Sequence, residues 1–82
     1  MISEMNAKIE ANVKSAMGST KQNVVMNWGP PTSISSDGTE KGEVYSYIKS
    51  IQFSFGLYIG SAYLYFNESG IVYHTNFKYT IQ

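Results

Sequence analysis

The stretch Trp28-Gly29-Pro30-Pro31 constrains the fold more than any other part of this chain. Gly29 readily adopts the left-handed conformation that closes a helix at its C′ position. The two prolines fix their own φ and have no N–H with which to continue a helical ladder. We therefore predict that a helix ends at Trp28 and that a different kind of structure begins after Pro31.

The beginning of the chain has the apolar spacing of one amphipathic helix. Apolar side chains recur there at steps of three and four, with polar side chains between them, over about four turns. These apolar positions are Met5, Ile9, Val13, Ala16 and Met17. Gly18 follows the pattern directly and is predicted to end this helix in the same way as Gly29.

A second, short helix is predicted between the two glycines. Ser19 and Gln22 match the Ser-x-x-Gln capping box, in which two side chains satisfy backbone N–H groups of the first helical turn. We expect Ser19 to be the N-cap of a helix near residues 20–27. The two helices then meet in a tight corner.

All seven tyrosines and all four phenylalanines lie after residue 44, which indicates β-structure in the second half of the chain. Alternation predicts a long strand over residues 43–55, bent or broken near Lys49 and Ser50. Gly56 and Gly60 are predicted to bracket a turn. Two further strands, over 61–66 and 71–79, are predicted on either side of a four-residue hairpin connection that ends in Gly70.

Polar segments occupy the region between the helices and the first long strand. A brief extended segment is predicted over residues 32–35, a turn at Ser36-Asp37-Gly38, and a loop over 39–42. Helices that precede strands indicate an α+β fold. We therefore predict one domain over residues 1–82, in which two N-terminal helices pack on one face of a three- to four-stranded antiparallel meander.

The composition argues against several kinds of partner. Six basic and six acidic residues cancel, so the chain lacks the basic surface that nucleic acid requires. With one histidine and no cysteine, we expect no metal site and no cofactor. No apolar run approaches the roughly 20 residues that span a bilayer. We expect a cytoplasmic protein if Met1 is the native start, and a cell-envelope or secreted protein if a leader has been removed.

No catalytic constellation is visible. His74 is the single histidine and Asp37 the single aspartate, and they lie far apart on a predicted strand and a predicted turn. The glutamates flank turns or lie on the predicted helix surface, without a spacing that forces two of them together. We therefore predict that the protein is not an enzyme.

Several spaced residues resemble one family, the SmpA/OmlA (BamE-like) small lipoprotein domain, which is related in fold to β-lactamase inhibitor proteins. The matching positions, over about residues 18–77, are Gly18, Val24, Trp28-Gly29-x-Pro31, Asp37-Gly38, Val44-Tyr45-x-Tyr47, Leu64-x-Phe66 and Gly70-x-Val72. The resemblance implies a helix–helix–strands fold and a small, non-catalytic, envelope or secreted protein that binds other proteins. It carries over no functional residue, because the matching positions are structural ones: Gly18, Trp28, Gly29, Pro31, Tyr47 and Gly70.

The tyrosines are the best functional lead. Periodicity and the family resemblance place Ala62, Leu64, Phe66 and Val72 toward the helices, which sends the intervening aromatic residues to the opposite face. The candidate partner-binding residues on that face are Tyr63, Tyr65, Tyr73, Phe77 and Tyr79. Two interpretations stay open, solvated rings on an open sheet or a patch that binds another protein or a second copy of the chain. Stacking of carbohydrate or nucleobases is a third.

We accordingly expect a non-catalytic protein-interaction module, with a homodimer as one form of the interaction. The alternative is a domain that binds a small apolar ligand or lipid in a pocket between the helices and the sheet. That pocket is predicted near Met17, Met26 and Phe53.

Overall fold

The computed structural model describes residues 2–36, 38 and 42–82. The described residues form α1 (Ile2–Ser15), α2 (Lys21–Trp28), β1 (Ser33–Ser36), β2 (Glu43–Phe53), β3 (Gly56–Phe66) and β4 (Val72–Ile81). The four strands lie in one sheet of order β1-β2-β3-β4, and every neighbouring pair is antiparallel. The predicted α+β class with an antiparallel meander is confirmed. Asp37 and residues 39–41, part of the predicted turn and loop, lie outside the described residues.

The corner between the helices is fastened to the start of β4. α1 ends at Ser15, so the prediction that Gly18 closes this helix as Gly29 closes α2 was wrong. Gly18 has a φ of +82°, but its N–H donates to the Val72 carbonyl on β4 at 2.9 Å and not to a carbonyl of α1. The N-cap of α2 is Thr20, whose hydroxyl accepts from the Asn23 N–H at 3.1 Å, so the prediction of Ser19 was wrong by one residue. The carbonyl of Ser19 instead accepts a hydrogen bond from the Val72 N–H at 2.9 Å.

The end of α2 matches the sequence prediction. The helix stops at Trp28, Gly29 has a φ of +81°, and the Gly29 N–H donates to the Val25 carbonyl at 2.8 Å. The Gly29 carbonyl in turn accepts a 2.8 Å hydrogen bond from the Tyr47 hydroxyl on β2. Trp28 is half-buried and meets Tyr47 edge to face, with ring centroids 5.2 Å apart. The helix end is therefore joined to the sheet by both a hydrogen bond and ring packing.

One buried cluster contains residues of both helices and of three strands. Its members are Val13, Ala16, Val24, Tyr45, Ala62, Leu64, Phe66 and Val72. Leu64 and Phe66 are fully inaccessible to solvent, and burying a side chain of this size contributes about 1.5–3 kcal/mol. The sheet members of this cluster share one side of the sheet, which we call the inner face; the opposite side is the outer face.

A buried polar contact ties the first half of α1 to β3. The Tyr58 hydroxyl donates to Oδ1 of Asn6, and both residues are buried. An unpaired polar atom in such a position costs about 1–3 kcal/mol, so each of these groups depends on the other. Within the described residues, no buried side-chain nitrogen or oxygen lacks a hydrogen-bond partner.

The connection between β2 and β3 differs from the prediction. β2 runs unbroken through Lys49 and Ser50, and the turn is the two-residue connection Ser54-Phe55, with Phe53 opposite Gly56. The turn predicted between Gly56 and Gly60 was therefore wrong. Gly56 belongs to the hairpin, with a φ of +153° and the Gln82 carbonyl oxygen only 2.4 Å from where a Cβ would stand.

A β-bulge interrupts the pairing of β3 with β4. Phe66 lies opposite Val72 and Tyr65 opposite His74, so Tyr73 is one residue too many on β4. An extra residue reverses the inward and outward alternation of everything that follows it. The bulge therefore decides which face each later side chain of β4 occupies.

β3 and β4 are joined by the predicted hairpin at Asn67–Gly70, and Ile71 extends the connection to five residues. Asn67 organises it, because its side-chain oxygen accepts from the Ser69 N–H at 2.9 Å and from the Ile71 N–H at 3.1 Å. Gly70 ends the turn with a φ of +77° and donates to the Asn67 carbonyl at 2.9 Å. These are side-chain and backbone contacts of the kind that make Asn and Gly frequent in turns.

We predict that Gly60→Ala lowers the free energy of unfolding by about 1–2 kcal/mol. A Cβ at Gly60 would lie 3.1 Å from Cε1 and 3.3 Å from the hydroxyl of Tyr58, so this buried ring must move. Without that contact, alanine in a strand interior would stabilise by roughly 0.5–1 kcal/mol. Urea unfolding measures the effect, and in a Tyr58→Leu background the penalty should disappear. A penalty of equal size in both backgrounds would show that the Tyr58 ring is not its cause.

Candidate functional site

The outer face carries a compact group of aromatic side chains, which we call the tyrosine patch: Tyr63, Tyr65, Tyr73 and His74. The ring of Tyr65 lies at the centre, with its centroid 6.3 Å from that of Tyr73 and 5.1 Å from that of His74. Tyr63 lies two residues before Tyr65 on β3, and the Lys78 Nζ lies 5.3 Å from its ring centroid. The patch thus combines aromatic surface with few charges.

The tyrosine patch is partly accessible to solvent. The Tyr73 side chain is 47% exposed, His74 is also exposed, and Tyr63 and Tyr65 are half-buried. Their neighbours on β2, Val44 and Ser46, lie opposite Tyr65 and Tyr63 and are buried although they belong to the outer face.

Phe77 and Tyr79, which were predicted on the outer face, lie on the inner face. Phe77 is opposite Ala62 and packs against the core, and Tyr79 is opposite Gly60. The Tyr79 ring stacks on Tyr58 with centroids 5.7 Å apart and an interplanar angle of 19°. The predicted orientation was wrong because the bulge at Tyr73 shifts the alternation by one residue.

A signal for this shift is present in the sequence. From residue 74 to residue 81, polar side chains alternate strictly with Thr75, Phe77, Tyr79 and Ile81. A half-buried strand places its more apolar set toward the core, whereas Val72 has the opposite parity from that set. Val72 and the set that begins at Thr75 can face the core together only if one extra residue lies between them. This difference in parity was the sequence evidence for a bulge.

An open cleft of about 820 Å³ lies on the inner face, between the helices and the sheet. Its described lining residues are Met5, Ile9, Asn12, Val13, Ser15, Asn27, Trp28, Thr32, Tyr47, Ile48, Lys49, Ile51, Tyr58, Gly60, Ala62 and Phe77. Small-molecule sites typically measure roughly 300–1,000 Å³, so the cleft is large enough for a small ligand. Met17, Met26 and Phe53 are not among the lining residues, and Met26 is 74% exposed, so the predicted position of the pocket was wrong.

Two tyrosines that line the cleft have perturbed acid–base properties. Burial, and secondarily the neighbouring Tyr79, raises the pKa of Tyr58 above its usual value of 10.0. Burial, and secondarily Tyr45, likewise raises the pKa of Tyr47. Both hydroxyls act as hydrogen-bond donors, Tyr58 to Asn6 and Tyr47 to the Gly29 carbonyl. Their roles in the structure are therefore to join the helices to the sheet.

Other candidate groups do not converge on a site within the described residues. His74 lies on the outer face beside Tyr65, and Asp37, its predicted distant counterpart, is outside the described residues. No group of three or more His, Cys, Asp or Glu among residues 2–36, 38 and 42–82 could hold a metal ion. In that same part of the chain, neither helix is long and apolar enough to cross a membrane.

Comparison with protein-family models, with curated proteins and with solved structures gives no match for this chain.

We predict that the contribution of Tyr58 to stability is constant up to about pH 10 and declines above it. Because the pKa of Tyr58 is higher in the folded state, the unfolded chain releases its proton first, which favours unfolding as pH rises. Tyr58→Phe should lower the free energy of unfolding by about 1–3 kcal/mol at neutral pH, since Asn6 loses its donor. It should also make the alkaline decline shallower. Urea unfolding between pH 7 and 11 measures both, and an unchanged alkaline slope in Tyr58→Phe would contradict the assignment.

Proposed function

We propose that this protein is a non-catalytic interaction module that binds another protein, or a second copy of itself, through the tyrosine patch. In this proposal the two helices cover the inner face of the sheet and leave the outer face for the partner. The SmpA/OmlA resemblance implies a protein of the same class, which agrees with the proposal.

The observation that carries the proposal is the position of the patch relative to the core. The cluster shared with the helices takes its sheet residues from the inner face alone, while Tyr63, Tyr65 and Tyr73 belong to the outer face. An antiparallel sheet with one solvated face normally has polar side chains on it. Here that face presents contiguous rings at the junction of β3 and β4.

Tyrosine suits such a surface for a physical reason. Its ring supplies a large contact area at a small cost in side-chain entropy, and its hydroxyl keeps a hydrogen bond with water until a partner replaces it. Aromatic residues are enriched in protein interfaces, whereas lysine and the acidic residues are depleted. Lys78 lies over the Tyr63 ring, at the side of the patch away from Tyr73.

The proposal predicts that Tyr63→Ser, Tyr65→Ser and Tyr73→Ser together abolish association. For self-association, sedimentation velocity over a wide concentration series should show a monomer at all concentrations. For a heterologous partner, pull-down from the source extract should lose the proteins that the unmodified chain retains. Circular dichroism before each measurement checks that the variant is folded, because Tyr63 and Tyr65 are half-buried.

Tyr79→Ser provides the matched control. Tyr73 and Tyr79 are both 47% exposed and lie on the same strand, but Tyr79 belongs to the inner face. The control variant should therefore associate as the unmodified chain does. Association that survives the triple substitution, or that Tyr79→Ser removes equally, would refute the tyrosine patch as the binding surface and favour solvated rings.

A further inference from the structure

β1 covers only the first part of its neighbour β2. The pairing joins Ser33–Ser36 to Glu43, Val44, Tyr45 and Ser46, and β2 continues to Phe53. Thr32 extends the contact slightly, because its N–H donates to the Ser46 carbonyl and its hydroxyl accepts from the Ile48 N–H at 3.0 Å. Beyond Ile48, no strand of the described residues lies on this side of β2.

The backbone of this uncovered part presents unused hydrogen-bonding groups. The Ser46 carbonyl and the Ile48 N–H point toward the β1 side, because both are hydrogen-bonded to Thr32. Successive residues of a strand direct their N–H and C=O groups to opposite sides. The N–H and C=O groups of Ser50 and Gln52 therefore also point toward the β1 side, into the space that β1 does not reach. Such a row of N–H and C=O groups is a template for an added strand.

This open edge borders the cleft on the inner face. Lys49 and Ile51 alternate with Ser50 and Gln52 along β2, and both of their side chains line the cleft. The lining on the helix side includes Ile9 of α1 and the half-buried indole of Trp28, together with the polar side chains of Asn12 and Asn27. A strand added at the edge would direct every second side chain into this cleft.

Lys49 gives the cleft its charge preference. It is the single charged side chain among the described residues that line the cleft. The ion pairs between described residues, Lys14 with Glu10 and Lys21 with Glu43, do not involve it. A carboxylate on the ligand would therefore meet a complementary ammonium group without competition from a neighbouring acid.

We propose that the open edge of β2 binds an extended peptide segment of a partner protein as a fifth strand. The peptide's backbone pairs with Ser50 and Gln52, an acidic side chain pairs with Lys49, and an apolar side chain two residues away enters the cleft beside Ile9. This site is separate from the tyrosine patch, which lies on the other face. A free apolar molecule would fill the cleft but would leave the backbone groups of the edge unpaired, which favours a peptide.

The first experiment selects linear nine-residue peptides from a random display library on the full chain. The enriched peptides are expected to share an acidic residue and an apolar residue two positions apart, with no proline between them. A synthetic peptide of this consensus should change the fluorescence of Trp28, the one tryptophan in the chain. The titration of that signal gives the affinity.

Two lysine variants test the charge contact. Lys49→Gln should weaken binding of the consensus peptide about three- to tenfold, the range for a partly exposed ion pair with a hydrogen bond. Lys78→Gln is the matched control, because this lysine lies on the same sheet but over Tyr63 on the outer face. It should leave the affinity unchanged.

Amide hydrogen exchange tests the backbone pairing directly. Bound peptide should slow exchange at Ser50 and Gln52 by at least about tenfold, because these N–H groups gain a partner. A peptide N-methylated at its pairing positions should not bind. Failure to enrich peptides, a consensus without an acid, or protection at β4 instead would each overturn the proposal. Binding of an apolar fluorescent dye in the cleft, with no peptide bound, would indicate a small-ligand site and also overturn it.

Discussion

The β-bulge at Tyr73 is the constraint on which the arrangement of the aromatic residues depends. It allows Val72 to be buried opposite Phe66 and still lets Phe77 reach the core beside Ala62. A regular ladder would send one of these two side chains to the opposite face. By resolving that conflict, one inserted residue gives the sheet an apolar inner face and places the extra ring, Tyr73, next to Tyr65 on the outer face.

The helices are joined to this sheet at a few points with different chemistry. The corner at Gly18 is hydrogen-bonded to Val72, the end of α2 to Tyr47, and the first half of α1 to Tyr58. These attachments hold two short helices that would be marginal alone. They also leave the cleft between the helices and the inner face of the sheet. The open strand edge is a consequence of one short strand beside a long one.

Local turn chemistry was the part of the structure most accessible from the sequence. The stop at Trp28 and the Asn67–Gly70 hairpin depend on glycine and on side-chain contacts within a few residues, so the local sequence contains their cause. The hairpin between β2 and β3 was misassigned, because Gly60 resembles a turn residue. Gly60 lies inside β3, where the absence of a side chain leaves room for the ring of Tyr58, two residues earlier on the same strand.

The sequence by itself determined the α+β class, two N-terminal helices of which the second ends at Gly29, and a meander rich in tyrosine, because each follows from periodicity or from backbone preferences of single residues. Tertiary structure decided which face each ring of β4 occupies, where the cleft lies, and how much of β2 stays unpaired. Those features depend on strand register and on the relative lengths of paired strands. Register is set by the packing of Val72, Phe66 and Phe77 together. The alternation along β4 signals an extra residue, but it does not fix which residues of β3 lie opposite.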